Sequence, residues 1–232
     1  MSRGVADAMG DPVESIGVRD GYDLWSRIYD QRASTLVALD RRVTLQHLRP
    51  RPGERILDAG CGTGAHLVSI IQAGALAIGL DFSAGMLAAA RRTLPGTPLV
   101  QADLDRQLPL AGGVFDAVLC SLVSEHLSDL SLFFESLSKV LRQGGRLVFS
   151  AFHPQMAAAG VEANFEIENT EYRLGAELHT REDYLQGIAA AGFDRPRWCE
   201  YEVDEELVAV APSARRHLGQ PLLLMIEAER GS

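Results

Sequence analysis

A glycine-rich turn after a short apolar run is the clearest sign of chemistry in the sequence. The turn covers residues 58–65 (DAGCGTGA) and leads into a helical pattern. Backbone N–H groups at such a turn lie at a helix N-terminus, and glycine has no Cβ to hold a ligand away from them. The pattern therefore predicts a site where a ligand lies close against the backbone.

The acidic residue that ends the next strand indicates the kind of ligand. Asp81 follows Gly60 by about 20 residues, the usual separation between a nucleotide-binding turn and the carboxylate that binds ribose hydroxyls. Together the turn and Asp81 predict a nucleoside cofactor. They leave its identity open, because Gly60, Gly62 and Ala65 also match the dinucleotide pattern G-x-G-x-x-G/A.

Asp58 favours a cofactor without phosphates. It ends the strand before the turn, where a carboxylate in a crevice of low dielectric would repel a pyrophosphate. The same carboxylate would stabilise a ligand that carries ammonium and sulfonium groups, and S-adenosylmethionine fits that description. An alternative, compatible role is that Asp58 caps the turn through backbone hydrogen bonds.

Two histidines are candidate proton acceptors because each follows a predicted strand, at the end where ligands bind in parallel sheets. His126 lies in Ser124-Glu125-His126 and His153 in Phe152-His153-Pro154. A base near neutral pKa helps if the attacking group is a hydroxyl, a protonated ring nitrogen or a carbon acid. The alternative for each histidine is a structural residue bonded to the backbone, and Glu125 is expected to be solvated.

The elements that would position these residues alternate between strand and helix, which is typical of βαβ units around a parallel sheet. Strands are predicted over residues 55–59, 75–80, 99–102, 114–120 and 146–151. Two last strands, 197–203 and 222–229, are expected to pair antiparallel at the sheet edge. A helical region covers about 21–48, and residues 152–179 show no clean period.

Five ordered segments resemble the class I S-adenosylmethionine-dependent methyltransferases, over about residues 21–151. They are residues 56–64 (ILDAGCGTG), 79–83 (GLDFS) with Met86, 102–104 (ADL), 115–118 (FDAV) and 140–147 (VLRQGGRL). Residues 21–25 (GYDLW) and 28–30 (IYD) resemble the N-terminal lid of the small-molecule branch, which includes quinone-pathway C-methyltransferases. The resemblance implies an α/β, Rossmann-like, seven-stranded and mostly parallel sheet of order 3-2-1-4-5-7-6, with the last strand antiparallel and helices on both faces.

The resemblance also implies S-adenosyl-L-methionine as cofactor and assigns its contacts. Gly60, Cys61 and Gly62 would run under the methionine part. Asp81 would bind both ribose hydroxyls, Phe82 and Met86 would flank the adenine, Asp103 and Leu104 would meet its polar edge, Cys120 and Ser121 would line the methionine side, and Tyr22, Trp25 and Tyr29 would belong to the lid. Taken singly, Phe82 and Met86 could be ordinary core, and the lid aromatics could simply pack the first helix.

We expect a single methyltransferase domain over residues 1–232. Residues 1–50 would form a helical lid, 51–151 the cofactor-binding half, and 152–232 a substrate-side insert with the C-terminal strands. An aperiodic connection as long as 152–179 is uncommon without a function. We therefore expect this segment to cover the active face and to contact the acceptor.

Composition narrows the partners. Lys and Arg number 22 against 31 Asp and Glu, a formal net charge of −9, which disfavours general nucleic-acid binding. Three widely spaced cysteines form neither a disulfide framework nor a metal-binding pair, so we expect a cytoplasmic protein without a metal site. Residues 1–11 lack the apolar core of a secretory signal, and the uncharged stretch 59–80 contains too many glycines for a membrane span.

Three functions follow in order of preference. The first is methyl transfer from S-adenosylmethionine to oxygen, nitrogen or carbon of a small molecule, such as a secondary metabolite or a quinone precursor. The second is a nicotinamide-dependent oxidoreductase, which Asp58 and the antiparallel last strands disfavour. The third is a protein that binds S-adenosylmethionine without transferring its methyl group. The acceptor, its methylated atom and the oligomeric state remain open.

Overall fold

The computed structural model describes residues 12–31, 34–160 and 163–231. In chain order its helices and strands are β1 (Val13–Ser15), α1 (Val18–Trp25), α2 (Thr35–Leu48), β2 (Arg55–Ala59), α3 (Ala65–Gln72), β3 (Leu76–Asp81), α4 (Ala84–Thr93), β4 (Leu99–Gln101), β5 (Phe115–Ser121), α5 (Leu130–Val140), β6 (Leu141–Phe152), α6 (Pro154–Ala158), β7 (Asn164–Ile167), β8 (Thr170–Arg173), α7 (Arg181–Ala190), β9 (Phe193–Glu202), α8 (Glu205–Val210) and β10 (Pro221–Arg230). Short 3₁₀ turns cover Tyr29–Gln31, Ser124–His126 and Pro212–His217. Residues 1–11 of the expected lid lie outside the described residues.

Seven strands form one sheet in the order β4-β3-β2-β5-β6-β10-β9. The strands from β4 to β6 run parallel, and β10 is antiparallel to both β6 and β9. In the order of the predicted strands this is 3-2-1-4-5-7-6. The predicted sheet order and the antiparallel last strand are therefore confirmed.

Helices cover both faces of this sheet because neighbouring residues of each central strand point to opposite sides. Leu57, Val118 and Phe149 pack with α5 and α7 in one buried cluster. Their neighbours Ile56, Leu119 and Val148 pack with α2 and α3 in another. Strands buried on both faces are nearly continuous apolar runs, which is why the sequence predicts them well.

The segment 152–179 is more regular than its sequence pattern predicts. It contains α6 and an antiparallel hairpin of β7 and β8, and β8 also pairs in parallel with β1. The hairpin loop is Glu168-Asn169, and both residues have positive φ, 51° and 63°. Two-residue loops of this kind are usually signalled by Asn-Gly or Asp-Gly. The expectation of an irregular insert was therefore wrong for the hairpin, because its strands are short and glutamate replaces the usual turn residue.

The predicted N-terminal helical region is two helices, α1 and α2, separated by the 3₁₀ turn at Tyr29–Gln31. The uncharged stretch 59–80 consists of the end of β2, α3 and most of β3. Among the described residues, no helix combines the length and the apolar character that crossing a bilayer would require.

Candidate functional site

The glycine-rich turn lies at the carboxyl end of β2 and folds back against β3. Gly60, Gly62 and Gly64 all have positive φ, between 53° and 88°. The backbone N–H groups of Gly60 and Cys61 donate to the carbonyl of Leu80, at 2.7 and 2.9 Å. A Cβ on Gly60 would lie 2.3 Å from Cγ1 of Val123, so a side chain there would be both strained and blocked.

The carboxylate of Asp81 links the glycine-rich turn to the start of α4 by hydrogen bonds. Its Oδ2 accepts a hydrogen bond from the N–H of Gly62 at 2.8 Å, and its Oδ1 accepts one from the N–H of Ser83 at 2.9 Å. Burial raises the pKa of Asp81, although the backbone hydrogen bonds oppose the shift. A carboxylate offers about four acceptor positions. Two therefore remain for ligand hydroxyls at the cavity that Asp81 lines.

Asp58 lies under the turn, fully buried, and its Oδ2 has no hydrogen-bond partner. Burial raises the pKa of Asp58 to about 7, and the charges of Asp81 and Asp40 add to the shift. A carboxylate with one orphaned oxygen beside a glycine-rich turn fits a cofactor that brings positive charge. Asp58 itself does not line the two cavities described below.

Most of the predicted cofactor residues surround one cavity at the carboxyl ends of β2, β3 and β5, which we call the inner cavity. Predicted residues that line it are Tyr22, Tyr29, Gly60, Cys61, Gly62, Asp81, Phe82, Met86, Asp103, Leu104, Ser121 and His126. Trp25 is absent from this wall and lines a second cavity. Cys120 lines neither and is packed in the core of the sheet. Elements far apart in sequence thus converge on one cavity.

Helix α1 is docked over the inner cavity by polar contacts at its inner face. Asp23 Oδ1 accepts from the N–H of Gly85 at 2.8 Å and from the hydroxyl of Ser83 at 2.5 Å, so a carboxylate lies at the N-terminus of α4, where it is favoured. Arg19 pairs with Asp103 at 3.2 Å and lies over the ring of Phe82 at 5.5 Å from its centroid. These contacts hold α1 where a lid is expected.

Tyr22 and His126 meet between α1 and the turn after β5. Tyr22 Oη and His126 Nε2 lie 3.0 Å apart, with the two rings edge to face. Burial raises the pKa of Tyr22 well above its usual value and lowers the pKa of His126. Both groups are therefore neutral at pH 7, and His126 can accept a proton. Its other ring nitrogen, Nδ1, is buried without a partner.

The structure does not bring His153 to this site. His153 is the N-cap of α6, where its Nδ1 accepts from the N–H of Gln155 at 3.3 Å, and its Nε2 lies 3.7 Å from Glu200. It lines neither cavity. Its position before Pro154 suits a cap, since proline is favoured in the first helical turn. The sequence offers both histidines as candidate proton acceptors, but in the structure only His126 of the two lines the inner cavity.

A second and larger cavity, the outer cavity, adjoins the first and measures about 680 Å³. It shares Tyr22, Tyr29, Val37, Arg41 and Leu122 with the inner cavity. Its wall includes the stacked rings of Trp25 and Phe165, 5.0 Å apart between centroids. Tyr172 of β8 does not line the cavity, but it stacks on Phe165 at 5.2 Å. Aromatic walls with a few polar groups are typical of small-molecule sites.

Asp40 on α2 is a site residue that sequence reasoning missed. It is 2% exposed and accepts four hydrogen bonds, from Thr44, His66, Ser121 and Ser150, at 2.6 to 3.0 Å. Burial opposes its ionisation, but these donors hold the pKa of Asp40 below its usual value. Its partner His66 also lines the inner cavity. Nothing in the local sequence distinguishes Asp40 from a solvent-facing helical residue.

Comparisons with known proteins agree with this geometry. A family model described as "Methyltransferase domain" matches residues 57–149. A demethylmenaquinone methyltransferase from Mycobacterium bovis is 35% identical over 208 residues, covering 87% of this chain and 79% of that protein. One from Beutenbergia cavernae is 37% identical over 146 residues, covering 61% and 59%. The alignment therefore spans less than two thirds of the length of that relative.

A solved structure extends the likeness to the whole fold. The crystal structure of an S-adenosylmethionine-dependent methyltransferase from Mesorhizobium loti superposes with a TM-score of 0.67 at 26% identity. The superposition covers 85% of this chain and 99% of that one. The similarity therefore covers more of the chain than residues 56–147, which contain the five sequence segments.

Proposed function

Because the chain belongs to the class I S-adenosylmethionine-dependent methyltransferases, we propose that it transfers the methyl group of S-adenosyl-L-methionine to a small molecule in the outer cavity. The observation that carries this proposal is the wall shared by the two cavities, which includes Tyr22, Tyr29 and Leu122. A donor bound in the inner cavity and an acceptor bound in the outer one would meet at this wall. Alignment and exclusion of water are the main requirements of such a displacement.

The inner cavity would bind the cofactor, which supplies a methyl group already activated by its sulfonium. Asp81 would accept hydrogen bonds from the ribose hydroxyls, and the backbone of Gly60, Cys61 and Gly62 would lie along the methionine part. The remaining contacts would come from Phe82 and Met86 on the adenine faces, Asp103 and Leu104 at its edge, and Ser121 on the methionine side. Asp58 would stabilise the positive charge from beneath the turn.

His126 would act where the attacking group must lose a proton. Its imidazole is neutral, and its Nε2 lies 3.0 Å from Tyr22 Oη on the shared wall. A proton from the acceptor could pass to Tyr22 Oη as the tyrosine proton passes to His126. Tyr22, Trp25 and Tyr29 would at the same time close the site to water as part of the lid.

The finer identity of the acceptor follows from the relatives and from the outer wall. The two relatives above are named demethylmenaquinone methyltransferases, and the wall of the outer cavity contains the stacked rings of Trp25 and Phe165. We therefore propose a planar aromatic acceptor, of which a quinone precursor is the first to test.

The same proposal includes a single domain. In it residues 1–50 form the lid, residues 51–151 the cofactor-binding half and residues 152–232 the substrate side. We also propose a cytoplasmic location, which is supported by the three cysteines that form no disulfide.

Turnover with a methyl-labelled cofactor tests the proposal. We expect release of S-adenosylhomocysteine together with labelled product when the protein is incubated with a panel of aromatic metabolites, and much less product with Asp81→Ala at a limiting concentration of cofactor. Binding of the cofactor without turnover of any acceptor would favour a non-methylating protein. The nicotinamide alternative receives no support from the comparisons, and titration with NADH would show no binding.

A further inference from the structure

Glu125 has a buried carboxylate oxygen that no group in the described protein satisfies. It lies in the 3₁₀ turn Ser124–His126 after β5 and lines the outer cavity. Its Oε2 is out of contact with water and has no hydrogen-bond partner. The expectation from sequence that Glu125 is solvated was therefore wrong for this oxygen. A buried acceptor without a donor costs free energy, and such groups are rare in native proteins.

Of the neighbours of Glu125 on the same turn, Ser124 has a hydrogen-bond partner, and His126 is bonded through Nε2 while its Nδ1 is buried without a partner. Ser124 Oγ accepts a hydrogen bond from Tyr184 Oη at 2.9 Å, and His126 Nε2 lies 3.0 Å from Tyr22 Oη. The backbone carbonyl of Glu125 itself accepts from the N–H of Glu177 at 2.8 Å. The turn is thus fixed on both sides, and its one unsatisfied side-chain oxygen belongs to the residue at the outer cavity.

No cation of the cavity wall neutralises this carboxylate in the described structure. Arg41, which lines both cavities, is paired with Asp30 at 3.1 Å. Glu125 has no ion pair of its own among the described residues, and the wall contains further carboxylates, including Glu171 and Glu177. Since a carboxylate oxygen accepts hydrogen bonds, the partner that Oε2 lacks is a donor.

We propose that Glu125 determines the specificity of the acceptor site by turning its carboxylate toward the outer cavity and accepting a hydrogen bond from an O–H or N–H group of the methyl acceptor. The residue then selects hydroxylated or amino-substituted aromatic molecules over ethers and ketones of the same shape. This inference rests on the proposed function, because it takes the outer cavity as the acceptor site. Sites that pair a buried polar group with a substrate donor strongly reject analogues that lack the donor.

Binding of three matched probes tests the proposal. The probes are 1-naphthol, 1-(aminomethyl)naphthalene and 1-methoxynaphthalene, titrated by calorimetry into protein saturated with S-adenosylhomocysteine. All three can stack on the aromatic wall, but the methoxy compound has no donor. We expect one or both donor probes to bind about tenfold to a hundredfold more tightly than the methoxy compound, the range for a hydrogen bond to a charged group. The tighter of the two donors identifies whether a hydroxyl or an ammonium is preferred.

The variant Glu125→Gln should reduce this preference to threefold or less, because the amide is uncharged. Glu177→Gln is the control, since it removes one negative charge from an exposed position on the same cavity, and it should keep the preference of the unchanged protein. Equal binding of all probes, no binding of either donor probe, or an unchanged preference in Glu125→Gln would each overturn the proposal.

Two further measurements separate this proposal from others. The melting temperature of Glu125→Gln should equal or exceed that of the unchanged protein, because Oε2 has no hydrogen-bond partner to lose; a fall of several degrees would show a structural partner and overturn the assignment. Titration with S-adenosylhomocysteine alone tests the proposed function. If that ligand fails to bind, the methyltransferase proposal fails, whereas normal binding with no donor preference refutes only the role of Glu125.

Discussion

The carboxylate of Asp40 on α2 lies 2.8 Å from Nε2 of His66 on α3, and both residues line the inner cavity. Through Ser121 and Ser150, the same carboxylate is bonded to the carboxyl ends of β5 and β6 at 2.6 Å. One buried group therefore joins the N-terminal helices to the strands that form the cofactor site. The lid side and the sheet are coupled by hydrogen bonds as well as by apolar packing.

Replacing Asp40 by alanine should destabilise the protein strongly. Removing one partner of a buried, hydrogen-bonded ion pair typically costs about 3–5 kcal/mol, because the remaining polar groups stay buried and unpaired. For a domain of this size that corresponds to a melting temperature lower by roughly 6–20 °C. Differential scanning calorimetry measures the shift. Gln46→Ala, at an exposed position of the same helix, is the control and should change the midpoint by less than about 2 °C.

Asp58 should make the unliganded protein less stable as the pH rises. Its pKa is about 7 in the folded protein and about 3.9 in the unfolded chain, so the folded state retains a proton that the unfolded state releases. Stability therefore falls between these two pH values as the pH increases. Asp58→Asn should remove this fall and raise the melting temperature at pH 8 more than at pH 4. Equal shifts at both pH values would refute the raised pKa.

Asp81→Ala should remove most cofactor binding. The substitution deletes the proposed acceptor for the ribose hydroxyls and the observed acceptor for the N–H groups of Gly62 and Ser83. Loss of a hydrogen bond to a charged group costs about 1.5–3 kcal/mol, which is about tenfold to a hundredfold in affinity. Calorimetry with S-adenosylhomocysteine measures the effect, with Asp105→Ala as a control of equal charge. Unchanged affinity in Asp81→Ala would contradict the assignment.

The hydrogen bond between Tyr22 and His126 should matter for turnover more than for cofactor binding. Tyr22→Phe and His126→Gln each remove it, and loss of proton transfer by a positioned side chain costs about 10²–10⁴-fold in rate. We expect cofactor affinity to stay within a few fold in both variants. His153→Gln is the matched control because His153 lies outside both cavities. A similar loss of rate in all three variants would show a structural effect instead.

The sheet and the inner cavity could be predicted because their signals are local. Each central strand is an apolar run, and the residues at its carboxyl end stand next to it in the sequence. Gly60, Asp81 and Ser121 can therefore be placed on one edge of the sheet once the strand order is known. The seven-stranded order itself came from the resemblance of five segments, not from periodicity.

Three features could not be predicted from the sequence: the role of Asp40, the environment of Glu125 and the β7–β8 hairpin. Each depends on contacts with residues that are far away along the chain. Asp40 meets Ser121 and Ser150 across 81 and 110 residues of chain. The turn that contains Glu125 is bonded to Tyr22, Tyr184 and Glu177, which are all more than 50 residues away along the chain. The hairpin pairs through β8 with β1, which lies more than 150 residues earlier. Its strands have only four residues each, so their sequence pattern does not predict this pairing.

The hairpin of β7 and β8 supports the last prediction, that the segment 152–179 determines acceptor choice. Phe165 of β7 is stacked between Trp25 and Tyr172, so it joins the segment to the lid at the outer cavity. Phe165→Ala and Tyr172→Ala should therefore change the kcat/KM ratio between acceptors. Cofactor affinity should stay within a few fold, because the inner cavity is built on β2, β3 and β5.

A stability effect must be separated from this change, since truncating a buried aromatic ring typically costs about 3–5 kcal/mol. Phe165 is buried, and its loss alone could loosen the lid. Measuring acceptor kinetics, cofactor affinity and melting temperature on the same samples distinguishes the two effects. Val13→Ala, at an exposed position of β1 in the same small sheet, controls for a general weakening of that sheet. If acceptor preference is unchanged while the melting temperature falls, the hairpin is structural, and acceptor choice must then lie with α1 and the turn from Ser121 to Leu127.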